Sequence, residues 1–305
     1  MNRKNNITVI GSSNTDMVVM TSHFPAPGET ILGGEFFMNA GGKGANQAVA
    51  AARLGGNVSF IGKVGDDIFG EQARANIKKE GINVSALTTD ADTPSGVAQI
   101  IVDEKGENSI VVAPGANLKL APADIDRAES QLTNANIVLM QLEIPVDAII
   151  HAAKKSKDSG AKVILNPAPA AELPDELFEN LYAITPNESE TELLTGIKVT
   201  DETTALTASK TFREKGVEIV VITMGAQGAF VYSDDFQGMV PGIEVQAVDT
   251  TAAGDCFNGA LAVALSEGMK IEEAIRFANK AASIAVTRRG AQASMPSRAE
   301  VGAGL

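Results

Sequence analysis

The sequence predicts a doubly wound α/β domain, with a mostly parallel sheet flanked by helices and a small β-sheet lid. Three observations support this fold class. Short apolar runs rich in β-branched residues alternate with longer segments of helical periodicity, the runs are apolar throughout, and 44% of the 305 residues are hydrophobic. Strands buried on both faces and separated by helices are typical of parallel sheets covered on each side. A chain of this length can also bury a sizeable core.

The predicted strands of the main sheet lie at residues 7–10, 58–61, 137–140, 162–165, 182–184 and 218–222. Helical patterns lie at residues 43–54, 67–80, 122–133, 145–158, 187–194, 203–215, 255–267 and 271–287. In such a sheet, ligands bind beyond the carboxyl ends of the strands, where the connecting loops gather. We therefore expect the functional residues in loops that directly follow strands.

Two segments, 14–40 and 96–113, depart from this alternation. Their strand-like stretches lie at residues 17–20, 29–32, 35–38, 97–102 and 109–113, with turns at 25–28 and 105–108. We interpret both segments as one small β-sheet that covers the ligand crevice as a lid or pairs with a second subunit, which makes a homodimer the expected assembly. The ranges 1–13, 41–95 and 114–305 would form the main domain, which binds nucleotide and substrate. A β extension without a function is the alternative.

Charge and composition limit the class of partner. A net charge of −13 and a pI near 4.7 disfavour binding to nucleic acid or to an anionic membrane. One cysteine and two histidines leave no disulfide framework and no ordinary structural zinc site. We find no signal-peptide pattern and no apolar run near the roughly 20 residues that span a bilayer. A cytoplasmic protein with a small-molecule partner is expected.

The segment 247–255 is the strongest candidate for chemistry, because an extended stretch ends there in small residues and opens a helical pattern. The first N–H groups of such a helix are unpaired and lie at the positive end of its dipole. Ala252, Ala253 and Gly254 can therefore wrap an anion. Asp255 is then poised as a proton acceptor for phosphoryl transfer to a hydroxyl. The alternative is an acid that only complements the helix dipole.

A glycine-rich segment, residues 39–47, matches neither a Walker phosphate loop nor a dinucleotide-binding fingerprint. We interpret it as a close-approach loop in which Lys43 and Asn46, next to Gly42, supply hydrogen-bond donors for hydroxyl groups. The alternative is tight helix–sheet packing that requires small residues.

Polar residues also follow two other predicted strands. Asn14 and Asp16 come directly after the first strand, and an amide and a carboxylate at this spacing can reach neighbouring sugar hydroxyls. Glu143 occupies the corresponding position after residues 137–140. An Asx turn at Asn14 and a helix-start acid at Glu143 are the alternatives.

Residues 185–190 follow a strand and open a helix, with Asn187 and Glu190 three positions apart on one face. They could position Mg2+ through water, and the same layout is also a capping box. Both interpretations can hold together. Cys256 could have a lowered pKa at a helix start, but a small packed residue is favoured.

The motifs at 39–46, 185–190 and 249–255 together resemble those of the ribokinase family of sugar kinases, and the likeness extends over nearly the whole chain. The resemblance implies sugar contacts from Asn14, Asp16, Gly42, Lys43, Asn46, Glu143 and Asp255. It implies nucleotide contacts from Asn187, Glu190, Thr223, Gly225, Gly228 and Asn279, with Mg2+ held through water by the first two. It implies a potassium-type monovalent cation held by Asp249, Thr251, Val286, Arg289, Gly290 and Ser294. Asn279 stands where some relatives carry histidine, and glycines 225 and 228 also fit an ordinary hairpin.

The activity implied by this resemblance is ATP-dependent phosphorylation of D-ribose at its 5-hydroxyl, giving D-ribose 5-phosphate and ADP. Asp255 would accept the hydroxyl proton, while the 252–254 backbone and Mg2+ stabilise the transferring phosphoryl group. The lid would exclude water. Alternatives are a kinase for fructose, deoxyribose, a keto-deoxy sugar acid or a nucleoside, and a non-catalytic sugar or nucleotide sensor on the same fold. A dinucleotide-dependent oxidoreductase is disfavoured, because its fingerprint is missing.

Overall fold

A computed structural model describes residues 5–302. In that range the strands are β1 (Asn6–Ile10), β2 (Asn14–Met20), β3 (Phe36–Gly41), β4 (Asn57–Gly65), β5 (Asn83–Asp90), β6 (Gly96–Val102), β7 (Asn108–Ala113), β8 (Ile137–Met140), β9 (Lys162–Leu165), β10 (Ala183–Ile184), β11 (Ile219–Thr223), β12 (Gly228–Tyr232) and β13 (Gln237–Pro241). The α-helices in the same range are α1 (Lys43–Arg53), α2 (Ile68–Lys79), α3 (Pro122–Arg127), α4 (Glu129–Thr133), α5 (Val146–Asp158), α6 (Asp175–Phe178), α7 (Glu188–Thr195), α8 (Glu202–Glu214), α9 (Ala253–Ser266), α10 (Ile271–Ala285) and α11 (Arg298–Val301).

The main sheet of this described range has nine strands in the order β13-β12-β11-β10-β9-β8-β1-β4-β5. The seven neighbouring strands β11, β10, β9, β8, β1, β4 and β5 pair in parallel, and β12 and β13 extend one edge in antiparallel orientation. All four residues of β8 are buried, as expected for a strand covered on both faces. Each of the six predicted strands occurs, and the predicted doubly wound α/β fold is confirmed.

The hydrophobic core forms one layer on each face of the main sheet. Val9 packs in the layer that includes Leu261 of α9, whereas its neighbour Ile10 packs in the layer that includes Phe212 of α8. Successive residues of a strand point to opposite faces, so an uninterrupted apolar strand supplies both layers. The carboxyl ends of these strands are thereby held rigidly, and the loops that follow them inherit fixed positions.

Two local expectations were wrong, and three strands of the main sheet, β5, β12 and β13, were missed. Residues 29–32 form no strand, since their apolar side chains have no core to pack against and that of Leu32 is 97% exposed. The helical pattern at 122–133 is divided into α3 and α4 by a turn at Ala128, where φ is −97° and ψ is 19°. β5 was missed because this edge strand alternates polar and apolar residues, and most of its residues are partly or fully exposed.

A second sheet has the strand order β3-β2-β6-β7. β2 pairs in parallel with β6, and the two outer pairs are antiparallel. These strands fall in the two segments predicted as the lid, with turns at the expected positions. That the sheet acts as a lid and divides the chain as expected stays a prediction, and the predicted domain ends at 1–4 and 303–305 lie outside the described residues.

A loop of three residues, Gly11–Ser13, joins β1 of the main sheet to β2 of the second sheet. The first residues of β2 therefore lie at the carboxyl end of β1, where ligands of parallel sheets bind. None of the helices within residues 5–302 combines the length and the apolar character needed to cross a membrane.

Candidate active site

Asp255 lies in the first turn of α9, with its side chain buried. Both carboxylate oxygens accept side-chain hydrogen bonds: Oδ2 from Asn46 Nδ2 at 2.9 Å and Oδ1 from Gln47 Nε2 at 2.9 Å. Both donors belong to α1, which packs against α9. The carboxylate is therefore held between two packed helices, which fixes it more firmly than a loop would.

The charges around Asp255 favour proton transfer. Burial raises the pKa of Asp255, Lys43 and the hydrogen bonds from the two α1 amides lower it, and the nearby Glu143 carboxylate raises it again. The net effect is a raised pKa, which makes the ionised carboxylate a stronger proton acceptor than an ordinary surface aspartate. Asp255 is thus a buried carboxylate with a raised pKa, held in position by two amide donors, which suits the predicted proton acceptor.

Backbone N–H groups point outward at the start of α9. Ala252 is the N-cap and has left-handed backbone angles, φ 59° and ψ 17°, which are uncommon for a residue with a side chain. Within residues 5–302 the N–H groups of Ala252 and Gly254 have no acceptor, whereas that of Ala253 donates to the Thr250 carbonyl at a long 3.2 Å. Two of the three predicted anion-hole donors are thus free, and the third is weakly engaged.

The start of α1 lies against the loop that follows β1. Gly42, the N-cap of α1, has φ 87°, and a Cβ there would lie 2.8 Å from the Asn14 nitrogen. Glu143 accepts hydrogen bonds on one oxygen from the Lys43 N–H at 3.0 Å and from the Ser12 hydroxyl. Glu143 does act at a helix start, but at that of α1 and not of α5, which follows it in the chain.

Asp16 and Asn14 lie on β2 beside this helix start. Burial raises the pKa of Asp16 to about 6, with further contributions from Glu143 and Asp255, so the three carboxylates share one field. Asn14 Oδ1 accepts a hydrogen bond from Asn117 Nδ2 at 2.8 Å. Its side chain is therefore fixed by a distant residue and does not form the alternative Asx turn.

Asn187 and Glu190 form the capping box of α7. Asn187 Oδ1 accepts from the Glu190 N–H at 2.8 Å and from the Ser189 hydroxyl at 2.9 Å, and the Asn187 N–H donates to Glu190 Oε2 at 2.9 Å. Burial raises the pKa of Glu190, Lys43 lowers it, and Asp255 raises it. The capping box interpretation is confirmed, and Glu190 lies within electrostatic reach of Asp255.

The loop after β11 adjoins the same helix start. Thr223 donates its N–H to the Pro186 carbonyl at 2.9 Å, which bridges β11 to the start of α7. A Cβ at Gly228 would lie 2.2 Å from the Val240 carbonyl oxygen, so this glycine is required by the β12–β13 hairpin, while a Cβ at Gly225 would meet open space. Asn279 of α10 donates its Nδ2 to the carbonyls of Val240 at 3.2 Å and Pro241 at 3.1 Å.

The predicted cation loops lie together around Asp249. Its two oxygens accept from the N–H groups of Thr251 at 2.9 Å and Gly290 at 2.8 Å. Although burial opposes the shift, these hydrogen bonds and the charge of Arg289 lower the pKa of Asp249. The Val286 carbonyl already accepts two N–H groups, those of Val248 at 2.8 Å and of Asp249 itself at 3.1 Å.

The hydroxyl of Ser294, also predicted as a cation ligand, donates to the Ala291 carbonyl at 2.8 Å. Within the described residues neither this hydroxyl nor the backbone of Arg289 hydrogen-bonds to Asp249. The structure therefore brings together Asp249, Thr251, Val286 and Gly290, but it does not join Ser294 to them by a hydrogen bond.

A family model for pfkB family carbohydrate kinases matches residues 4–298. The chain belongs to the pfkB family of carbohydrate kinases. A ribokinase of Haemophilus influenzae is 47% identical over 294 residues, which cover 96% of each chain. A deoxyribokinase of Salmonella typhi is 39% identical over 292 residues, or 95% of each chain. The structure of Arabidopsis thaliana ribokinase complexed with ribose and ATP matches at a TM-score of 0.89 and 35% identity, covering 98% of this chain and 97% of that one.

In this pfkB family chain, sequence reasoning missed Gln47, Ser12 and Asn117, which contact predicted site residues. A signal for Gln47 was present, because it is a polar residue directly before the Ala- and Val-rich stretch 48–52. Cys256 is fully buried, and its burial and the neighbouring Asp255 raise its pKa to about 12. It is a packed residue, and the possibility of a lowered thiol pKa was wrong.

Proposed function

We propose that this pfkB family kinase transfers the γ-phosphoryl group of ATP to the 5-hydroxyl of D-ribose, giving D-ribose 5-phosphate and ADP. The Haemophilus influenzae relative carries the name ribokinase, and the Arabidopsis thaliana structure holds ribose and ATP. Both span nearly the whole chain, so the proposal covers the complete site.

One observation carries this proposal. Asn46 Oδ1 is buried and has no hydrogen-bond partner, while Nδ2 of the same side chain donates to Asp255. Leaving a buried acceptor unpaired costs about 1–3 kcal/mol, unless a ligand supplies the donor. A sugar hydroxyl is such a donor, and one bound here would lie next to the proposed base.

The mechanism follows from the groups around this acceptor. Asp16, Asn14, Lys43 and Glu143 would orient the sugar, and Asp255 would accept the proton as the hydroxyl oxygen attacks the γ-phosphorus. The free N–H groups of Ala252 and Gly254, with the weakly engaged N–H of Ala253, would stabilise charge on the transferring phosphoryl group. Closure of the second sheet as a lid would exclude water as a competing acceptor.

Thr223 and Gly225, with Asn279 behind them, would border the adenine, and Gly228 would support them through its hairpin. Mg2+ bound with ATP would neutralise phosphate charge. Glu190 is the better of the two proposed Mg2+ partners, because a metal-bound water donates hydrogen bonds and the one acceptor oxygen of Asn187 already accepts two. Asn187 retains its Nδ2 donor, which suits a phosphate oxygen.

A potassium-type cation beside the anion hole is also proposed. Asp249 joins the backbones of Thr251 and Gly290, and a cation there would compensate its charge close to the start of α9. Because the Val286 carbonyl oxygen already accepts two N–H groups, it would have to release one of them to bind a cation well. Carbonyls of Arg289 and Gly290 and the Ser294 hydroxyl would complete the site.

The second sheet is proposed to form a homodimer interface. Its outer face carries Met17, Phe36 and Val111, and the last two side chains are 59% and 69% exposed. Apolar residues clustered on one face of a sheet are typical of an interaction surface. A cytoplasmic location belongs to the same proposal, since ATP is the co-substrate.

The experiment that tests the activity is an ADP-release assay with ribose, 2-deoxyribose, fructose and a nucleoside, in potassium or in sodium. Turnover with ribose above the other acceptors, raised by potassium, is expected. A preference for 2-deoxyribose would favour the second candidate function, that of a deoxyribokinase. The similarity to the Salmonella typhi deoxyribokinase supports this candidate. Sugar and ATP binding without ADP release would indicate a non-catalytic sensor.

A further inference from the structure

A chain of buried amide side chains leads to Oδ1 of Asp255, the carboxylate oxygen that does not accept from Asn46. Gln141 Nε2 donates to Gln47 Oε1 at 2.6 Å, and Gln47 Nε2 donates both to Asn166 Oδ1 at 3.0 Å and to Asp255 Oδ1 at 2.9 Å. Asn166 Nδ2 donates to the Thr185 carbonyl at 3.2 Å. Gln47 and Gln141 are fully buried.

The direction of this chain is determined by its end. The Thr185 backbone carbonyl can only accept, so Asn166 must turn Nδ2 toward it and Oδ1 toward Gln47. Gln47 must then present its NH2 group, whose two hydrogens serve Asn166 and Asp255. Its amide cannot flip without setting its oxygen against two other oxygens, one of them the carboxylate.

We propose that Gln47 is a positioning residue, whose side-chain amide fixes the Asp255 carboxylate and keeps it ionised to receive the sugar hydroxyl proton. This proposal rests on the proposed role of Asp255 as the base. Gln47 contacts the Asp255 carboxylate and no reacting group, so it acts on the reaction only through that carboxylate. Asn46 makes the matching bond to the other oxygen, but its own oxygen is left for the ligand.

Charged groups face Asp255 from four surrounding elements. They are Lys43 on α1, Glu143 after β8, Asp16 on β2 and Glu190 on α7. Three of these four are acids, and burial also favours the protonated form of Asp255. The amide of Gln47 is a neutral donor that opposes both effects without adding a charge to the sugar site.

The test compares Gln47→Met with Gln141→Met. Both changes replace a fully buried glutamine of the same chain with an apolar side chain of similar length, but only the first removes a bond to Asp255. For Gln47→Met, the acid-side midpoint of the kcat profile should move upward by about one pH unit, because a hydrogen bond to a charged group stabilises that charge. KM for ribose should stay within about threefold, and kcat should recover at high pH. The midpoint of Gln141→Met should match that of the unmodified protein.

A titration of the Asp255 carboxyl carbon by NMR, with Asp255→Asn used for assignment, gives the same comparison without turnover. An unmoved midpoint in Gln47→Met, or an equal shift in Gln141→Met, would overturn the proposal. If Gln47→Met does not fold, Gln47→Leu removes the same donor with a smaller apolar side chain and no added charge; its midpoint should also move upward, and an unmoved midpoint there overturns the proposal equally. Full turnover in Asp255→Asn would instead overturn the base assignment, so the two failures are distinct.

Discussion

The pocket around Asp255 and the second sheet differ in how far their side chains find partners within the chain. In the pocket, buried polar side chains bind one another at fixed distances, and within residues 5–302 only Asn46 Oδ1 and Gln141 Oε1 are buried without a partner. In the second sheet, apolar side chains on both faces are exposed, with Phe37 and Ile110 on the Asp16 face and Phe36 and Val111 on the other. Apart from these two acceptors, the buried polar groups of the pocket are paired without a ligand, whereas the second sheet lacks cover.

We therefore expect the pocket to be rigid and the second sheet to move. Fully bonded buried networks hold one geometry and change little on binding, which suits a group that must meet a reacting proton. A sheet with two apolar faces gains when something covers them, which suits closure over a sugar on one side and contact with a second copy on the other.

The largest effect is expected at Asp255. Asp255→Asn keeps the size of the side chain but removes the proton acceptor, so kcat should fall by about a thousandfold or more. Ribose binding should persist, because the other proposed sugar contacts lie on α1, β2 and the loop after β8. Turnover is measured by ADP release and binding by calorimetry. Turnover within tenfold of the unmodified protein would mean that another group accepts the proton.

Much of the pocket around Asp255 could be predicted from the sequence. Apolar strands followed by polar residues predicted that Asp16, Glu143 and Asp255 lie at one edge of the sheet, and Glu143 helps to raise the pKa values of Asp16 and Asp255. The bond between Gln47 and Asp255 was not visible, since 208 positions separate the two residues and no local pattern links them. The strand expected at 29–32 failed for a related reason, because apolar residues form a strand only where a core exists to receive them, and a local pattern does not show that core.

A smaller effect is expected at Asp16, where the pocket meets the second sheet. Burial and the carboxylates of Glu143 and Asp255 raise the pKa of Asp16 to about 6 from an ordinary 3.8. If the ionised form binds sugar hydroxyls, KM for ribose should rise as the pH falls through 6. Asp16→Asn should raise KM at pH 8 by about ten- to a hundredfold and remove this pH dependence, because hydrogen bonds to charged groups contribute about 1.5–3 kcal/mol.

The same variant should lose affinity for ribose but gain stability. A folded-state pKa above the unfolded value means that the folded protein binds more protons between about pH 4 and 6, so stability falls as the pH rises through this window. Above pH 6 that loss is complete, and Asp16→Asn should therefore unfold at a higher temperature than the unmodified protein at pH 8. Glu35→Gln, an exposed carboxylate beside β3, is the control and should alter neither KM nor stability. Unchanged KM in Asp16→Asn would remove Asp16 from the sugar site.

The smallest effect on turnover is expected from the outer face of the second sheet. Val111→Lys sets a charge in the proposed dimer interface, where its desolvation is costly. Light scattering should show a shift from twice the chain mass of 31.6 kDa to the single-chain value. Turnover should fall only about two- to tenfold, because the residues that hold Asp255 belong to its own chain and the change removes only the support of the proposed lid.

Leu193→Lys on α7 is the matched control, since Leu193 is an apolar side chain that is 50% exposed outside the second sheet. Its mass should remain that of the dimer. A Val111→Lys protein that stays dimeric would place the interface elsewhere and leave the outer face of the sheet unexplained. A monomer with a thousandfold loss of turnover would mean that the pocket depends on the second copy as strongly as on its own base.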